Sequence, residues 1–177
     1  MKYYTGIGSR KTPMEILRFI SKVSKYLMNR KYTLRSGHAP GADLAFERPV
    51  EHSVYKQIFI PWPNFGGSIS KYDFVSEKAL EIAKKYHPRW NELSLSAKLL
   101  IARNSFQILG PRLNEPSDFV ICYTLNGEYS GGTGQALRIA DDYDIPIYNL
   151  FYDEIRKGIF RLINKHINQK TLEDFKK

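Results

Sequence analysis

Three times along this chain, an apolar run of strand length ends in a glycine-bearing loop that leads into a helical pattern. Tyr3-Tyr4-Thr5-Gly6-Ile7-Gly8 runs into Ser9-Arg10-Lys11 and then a stretch with Ile16, Ile20, Val23 and Leu27 on one helical face. Tyr32-Thr33-Leu34-Arg35-Ser36 runs into Gly37-His38-Ala39-Pro40-Gly41, with a helix expected from Ala42 to His52. Phe119-Val120-Ile121-Cys122-Tyr123 leads to Gly131-Gly132-Thr133-Gly134, with a helix expected to open at Gln135. Strands that alternate with helices form parallel sheets covered on both faces, because each crossover lays a helix on the sheet. The expected fold class is therefore α/β, a mostly parallel sheet with helices on both faces. In such sheets ligands bind outside the carboxyl ends of the strands. All three glycine loops follow strands, so all three are expected on one rim.

The rest of the chain extends the alternation. Thr12-Pro13-Met14-Glu15 has the spacing of a capping box, with Thr12 as N-cap and Pro13 at the first helical position. Gln57 to Ile60 reads as a third strand, and amphipathic helices are expected from Tyr72 to Tyr86 and from Ser94 to Leu109. Ile145 to Leu150 reads as the last central strand, and Ile155, Ile159, Leu162 and Ile163 mark a closing helix. With no internal repeat or linker, residues 1–168 read as a single domain and 169–177 as a polar C-terminal tail.

Charge narrows the partners. The 27 Lys and Arg residues exceed the 18 Asp and Glu residues by nine, an excess that attracts phosphate-bearing molecules over a distance. The single cysteine, Cys122, sits inside an apolar run and reads as a small buried hydrophobe. The four histidines are scattered without metal-ligand spacing, so no metal site is expected. No apolar stretch approaches membrane-spanning length, and the first residues lack the apolar core of a signal peptide. A cytoplasmic location and no membrane partner are the expectation.

A strand, glycines and a helix start make an anion site. The free N–H groups of the first turn point outward, and the helix dipole adds positive charge there. Gly131, Gly132, Thr133, Gly134 and Gln135 supply one such cradle, and Gly8, Ser9 and Arg10 are suited to grip a phosphate beside it. Gly6-x-Gly8 does not extend to a dinucleotide fingerprint, because Lys11 occupies the third glycine position. Asp43 and Glu47 are four residues apart on one expected helix face. A carboxylate there suits a ribose hydroxyl, acid–base catalysis, or the first-turn charge preferred at a helix N-terminus. Trp62 and Phe65 offer rings for a base or for packing their own loop, and Tyr3, Tyr4 and Trp90 are further candidates for stacking.

Taken in order, Gly6-Ile7-Gly8-Ser9-Arg10, Ser36-Gly37 through Gly41-Ala42-Asp43, Arg103-Asn104 and Ser130-Gly131-Gly132-Thr133 resemble the SLOG superfamily. Its members include DNA-processing protein A and the lonely-guy proteins, and short phage-encoded proteins of the first type look most similar. The resemblance spans about residues 2–150. It implies a Rossmann-like fold that binds nucleotide-derived ligands at its glycine loops, with Ser36, Gly37, Gly41, Arg103 and Asn104 among the binding residues. Lonely-guy phosphoribohydrolases carry a GGxGTxxE motif. Here Gly131, Gly132 and Gly134 match, but Gln135 stands at the threonine and Arg138 at the catalytic glutamate. That departure argues against hydrolysis at this loop and leaves Asp43 and Glu47 as the only candidate catalytic groups.

The expectation is a module that binds a nucleotide or nucleotide-derived small molecule through converging phosphate loops, sensing or sequestering a signal. One alternative is an enzyme acting at a nucleotide's glycosidic bond. The other is single-stranded DNA binding in recombination, as the resemblance to DNA-processing proteins implies. No cofactor is expected, and association into a homo-oligomer is expected from habit of the fold.

Overall fold

In the computed structural model, which describes residues 1–174 with side chains to His166, five parallel strands form one sheet in the order β3-β2-β1-β4-β5. The strands are β1 (Lys2–Gly8), β2 (Tyr32–Ser36), β3 (Lys56–Ile58), β4 (Phe119–Tyr123) and β5 (Ile147–Asn149). The helices are α1 (Met14–Asn29), α2 (Ala42–Glu47), α3 (Glu77–Tyr86), α4 (Leu95–Leu109), α5 (Gly131–Asp142) and α6 (Asp153–Asp174). The expected α/β architecture is present.

Alternation along β4 builds two cores. Val120 and Cys122 face a cluster with residues of α3, α4 and α5, whereas Ile121 and Tyr123 face one with α1, α2 and α6. Cys122 is fully buried, and burial pushes its thiol up to about 12, so it packs as an apolar group. The chain winds outward from β1 through β2 to β3, returns, and winds the other way through β4 to β5. β1 and β4 are adjacent, pairing Gly6 with Ile121 and Gly8 with Tyr123, and the crevice of a doubly wound sheet opens at that reversal.

Several elements differ from the sequence reading. Thr12 does not cap α1: its hydroxyl donates to the Ser9 carbonyl, and Pro13 takes the N-cap position without a side-chain bond. α2 stops at Glu47 rather than His52, because Pro49 has no N–H to continue it. Tyr72 is not helical. It bridges to Phe59, its carbonyl accepts from Ile60, and α3 begins only after Ser76, whose hydroxyl accepts from Ala79 N–H. α5 starts at Gly131 and not at Gln135, so the glycines form its first turn. β5 is an edge strand that pairs with β4 alone, not a central one. α6 continues to Asp174, through part of the segment read as a tail; residues 175–177 lie outside the described residues.

Candidate functional site

The loops after β1 and β4 and the first turn of α5 enclose one cavity of about 400 Å³ at the sheet's reversal point. Gly8, Ser9 and Arg10 line it together with Ser130, Gly131, Gly132 and Thr133 and with Asp43, Arg103 and Asn104. Ile7, Ala97, Leu100, Ile101 and Leu125 give it an apolar wall. Nine residues expected at the site from the sequence thus meet there. Ser36, Gly37, Gly41, Glu47, Gly134 and Gln135 do not line it. The apolar wall was not legible in the sequence, because three of its five residues come from α4, whose apolar side reads as core.

The α5 turn is shaped to leave donors free. Gly131 adopts φ +56°, which turns the chain into the helix where a side chain would be strained. Ser130 caps the helix without a side-chain bond, and the first helical bond runs from Gly134 N–H to the Ser130 carbonyl. The N–H groups before Gly134 have no acceptor within the helix, and the helix dipole adds to their positive potential. Asn104 holds the turn in place by donating from Nδ2 to the Gly132 carbonyl at 3.0 Å.

Beneath the cavity lies a buried ion pair. Arg103 Nη1 is 3.6 Å from Asp43 Oδ2, and the two residues are only 3% and 2% exposed. Asp43 Oδ1 also accepts from Gly8 N–H at 3.2 Å, which ties α2 to the end of β1. Burial pushes the Asp43 carboxyl up from its ordinary range, while Arg103 and the Gly8 N–H pull it back. Burial pushes the Arg103 guanidinium down, Asp43 opposes this, and the nearby positive charge of Arg10 adds to the depression. Two guanidiniums therefore act on one cavity against one carboxylate, a balance that favours an anion. Among the described residues, Arg103 Nε has no hydrogen-bond partner.

The other expected residues support this floor from behind. Gly37 lies against the Arg103 guanidinium, where a Cβ would sit 1.0 Å from Nη1. The Gln107 amide, oriented to complement its neighbours, accepts from Gly37 N–H and from Arg103 at 3.0 Å and donates to Asn104 Oδ1 at 3.2 Å. Gly41, at φ +88°, lets the α2 entry approach the backbone of Ser9 and Arg10. Ser36 donates to the Gly6 carbonyl, and Glu47 pairs with His38 Nδ1 at 2.7 Å, outside the cavity. Of the candidate rings, Tyr4 is fully buried, Tyr3 stacks on Arg35 at 3.8 Å, and Trp62 packs edge-on against Phe65. Trp90 packs against the core beside α3 and α4.

Gln135 is fully buried, its Nε2 reaches Ser105 Oγ only at 3.5 Å, and its Oε1 has no partner among the described residues. A buried polar atom left unpaired costs about 1–3 kcal/mol. Gln135→Met keeps the shape and removes that cost. We expect its unfolding free energy, measured by urea titration, to match or exceed the wild type, by up to about 1 kcal/mol. A loss larger than that would mean the amide is satisfied after all.

The arrangement also bears on what the chain is similar to. No protein-family model and no curated protein matches it. Among solved structures, it is similar to DNA-processing protein A from Helicobacter pylori, with a TM-score of 0.58 and 17% identity over 96% of this chain and 81% of that one. The likeness is one of fold. That protein binds single-stranded DNA. No helix among the described residues is long and apolar enough to cross a membrane, and no cluster of three or more His, Cys, Asp or Glu residues among them is arranged for a metal ion.

Proposed function

We propose that this chain binds single-stranded DNA at the rim cavity, with one phosphate held by Arg10 and the first turn of α5. The observation that carries this reading is the cavity's mixed lining. Ser9, Arg10 and the Ser130–Thr133 turn offer donors and positive charge, and Ile7, Ala97, Leu100, Ile101 and Leu125 offer apolar surface. A nucleotide unit has the same two kinds of surface. The net charge of +9 supports steering of a polyanion. The fold shared with a protein that binds single-stranded DNA supports it further. The order of the glycine motifs is consistent with a place in the SLOG superfamily. A second reading, a free nucleotide or nucleotide-derived ligand, is favoured by the cavity volume of about 400 Å³, which is in the range of small-molecule sites.

Titrating the protein with dT12 and with thymidine 5′-monophosphate at several salt concentrations separates the two. For single-stranded DNA, log K is expected to fall with log salt by about 0.7 for each phosphate neutralised. Arg10→Ala should weaken dT12 binding and reduce that slope by about 0.7. Mononucleotide binding as tight as dT12 binding would favour the second reading. No dT12 binding at low salt would end the first.

A further inference from the structure

Two exposed aromatic rings stand beside the cavity and have no part in the phosphate site. Phe151 and Tyr152 follow β5 after the single residue Leu150 and are 37% and 48% exposed. Because every strand is parallel, they emerge on the same rim as the ends of β1 and β4. Asn149, the last residue of β5, couples them to the cavity wall. Its Oδ1 accepts from both Thr124 N–H, at 3.3 Å, and Phe151 N–H, at 3.1 Å, while its Nδ2 donates to Thr124 Oγ1 at 2.7 Å. Thr124 and Leu125 line the cavity. Two residues further on, Gly127 lies against both rings, with its Cβ direction pointing at Tyr152 Oη and Phe151 Cδ1. A single tight turn therefore meets both the cavity and the ring pair.

The pair is held still. The rings meet edge to face at 5.4 Å and 84°, and Phe151 also leans on Tyr123 at 6.5 Å. Arg156 donates to the carbonyls of Leu150 and Phe151, which fixes the backbone beneath the rings. The Asp153 carboxylate that follows is taken up by Arg156 and Lys157, so it does not confront a passing phosphate unpaired. Rigid, exposed aromatic rings next to an anion site suit a base, because every base has a π-face and stacking asks for no particular sequence.

The geometry points to Phe151 and Tyr152 as a stacking position for the nucleobase adjacent to the nucleotide in the cavity. This rests on the single-stranded DNA reading and deepens it: the ligand is a strand of at least two nucleotides, bound without base selectivity at the second. Neither ring lines the cavity, so a lone nucleotide bound there is expected to gain nothing from them.

The test uses the whole chain and a Phe151→Leu/Tyr152→Leu double variant, which retains apolar packing on Gly127 and removes the π-faces. Thermal unfolding checks that it is folded, and Tyr152→Phe serves as the conservative control. The double variant is expected to bind dT12 about 5- to 150-fold more weakly per stacked base lost, and thymidine 5′-monophosphate unchanged. Tyr152→Phe should bind both as the wild type does. If the double variant binds dT12 at full strength while Arg10→Ala weakens it, the stacking position is overturned and the phosphate site stands. Equal losses for both probes overturn it too, since the rings would then act only through the cavity wall. If the wild type binds no dT12, both readings fall together.

Discussion

Gly37→Ala is expected to destabilise the fold by about 3–5 kcal/mol, the cost of breaking a buried ion pair. The added methyl would fall 1.0 Å from Arg103 Nη1 and 2.2 Å from both Arg103 Cζ and the end of the Gln107 amide. Arg103 cannot swing aside at little cost. It is buried, Asp43 faces it at 3.6 Å, and the Phe59 carbonyl accepts from it at 3.4 Å. Expelling the guanidinium leaves the Asp43 carboxylate buried beside an empty position and removes a partner from Gln107. The measurement is a urea titration of Gly37→Ala, Arg103→Ala and the double variant. If the glycine exists to seat the guanidinium, the two costs overlap, and the double variant should be scarcely less stable than Arg103→Ala alone. Additive costs, or a Gly37→Ala cost below about 1 kcal/mol, would contradict that role.

This coupling shows what a linear reading of the chain reaches and where it stops. β4 is legible to the residue, because Phe119–Tyr123 is a pure apolar run between turn residues. The shared rim is legible as well, since parallel strands place their following loops together whatever the sequence of the loops. The partner of Arg103 is not. Asp43 lies 60 positions away, and its charge at the start of α2 satisfies a local rule for helix N-termini before any tertiary contact is considered. α4 hides its role for a related reason. It reads as a helix with one apolar side, yet every residue from Ile101 to Leu109 is buried, because α3, α5 and the sheet surround it. Its polar residues there are internal fittings: Asn104 for the α5 turn, Gln107 for Gly37. The aromatic candidates fail by the same logic. Tyr3 and Tyr4 alternate along a central strand, so one ring is buried in a core and the other lies on a buried arginine. Phe151 and Tyr152 follow a strand too short to announce that it ends on the rim that holds the cavity.

Within the run Gly131-Gly132-Thr133-Gly134, the three glycines are expected to respond differently to alanine, and Gly134→Ala should damage binding most. Gly131 faces open space and needs only its positive φ, so alanine there carries a strain of about 1–2 kcal/mol. At Gly132 a methyl would lie 3.1 Å from Asn104 Nδ2, the end of a side chain able to give slightly. At Gly134 it would meet backbone: Tyr129 C at 2.3 Å and Tyr129 O at 2.5 Å. That carbonyl also accepts from Arg138 Nη2 at 2.7 Å. The segment has to move, and the next residue is Ser130, the cap of α5 and part of the cavity wall. Gly134→Ala is therefore expected to cost about 1–3 kcal/mol of stability through overpacking. It should also weaken dT12 binding about tenfold or more, since donors aimed at a phosphate tolerate displacements of only about 0.5 Å. Gly132→Ala should weaken it less. Measuring the three variants side by side, by urea unfolding and by dT12 titration, checks the order. Equal losses in affinity across all three would mean that the run works through its flexibility and not through a fixed first turn. Arg138 thus clamps the turn through Tyr129 and does not itself line the cavity.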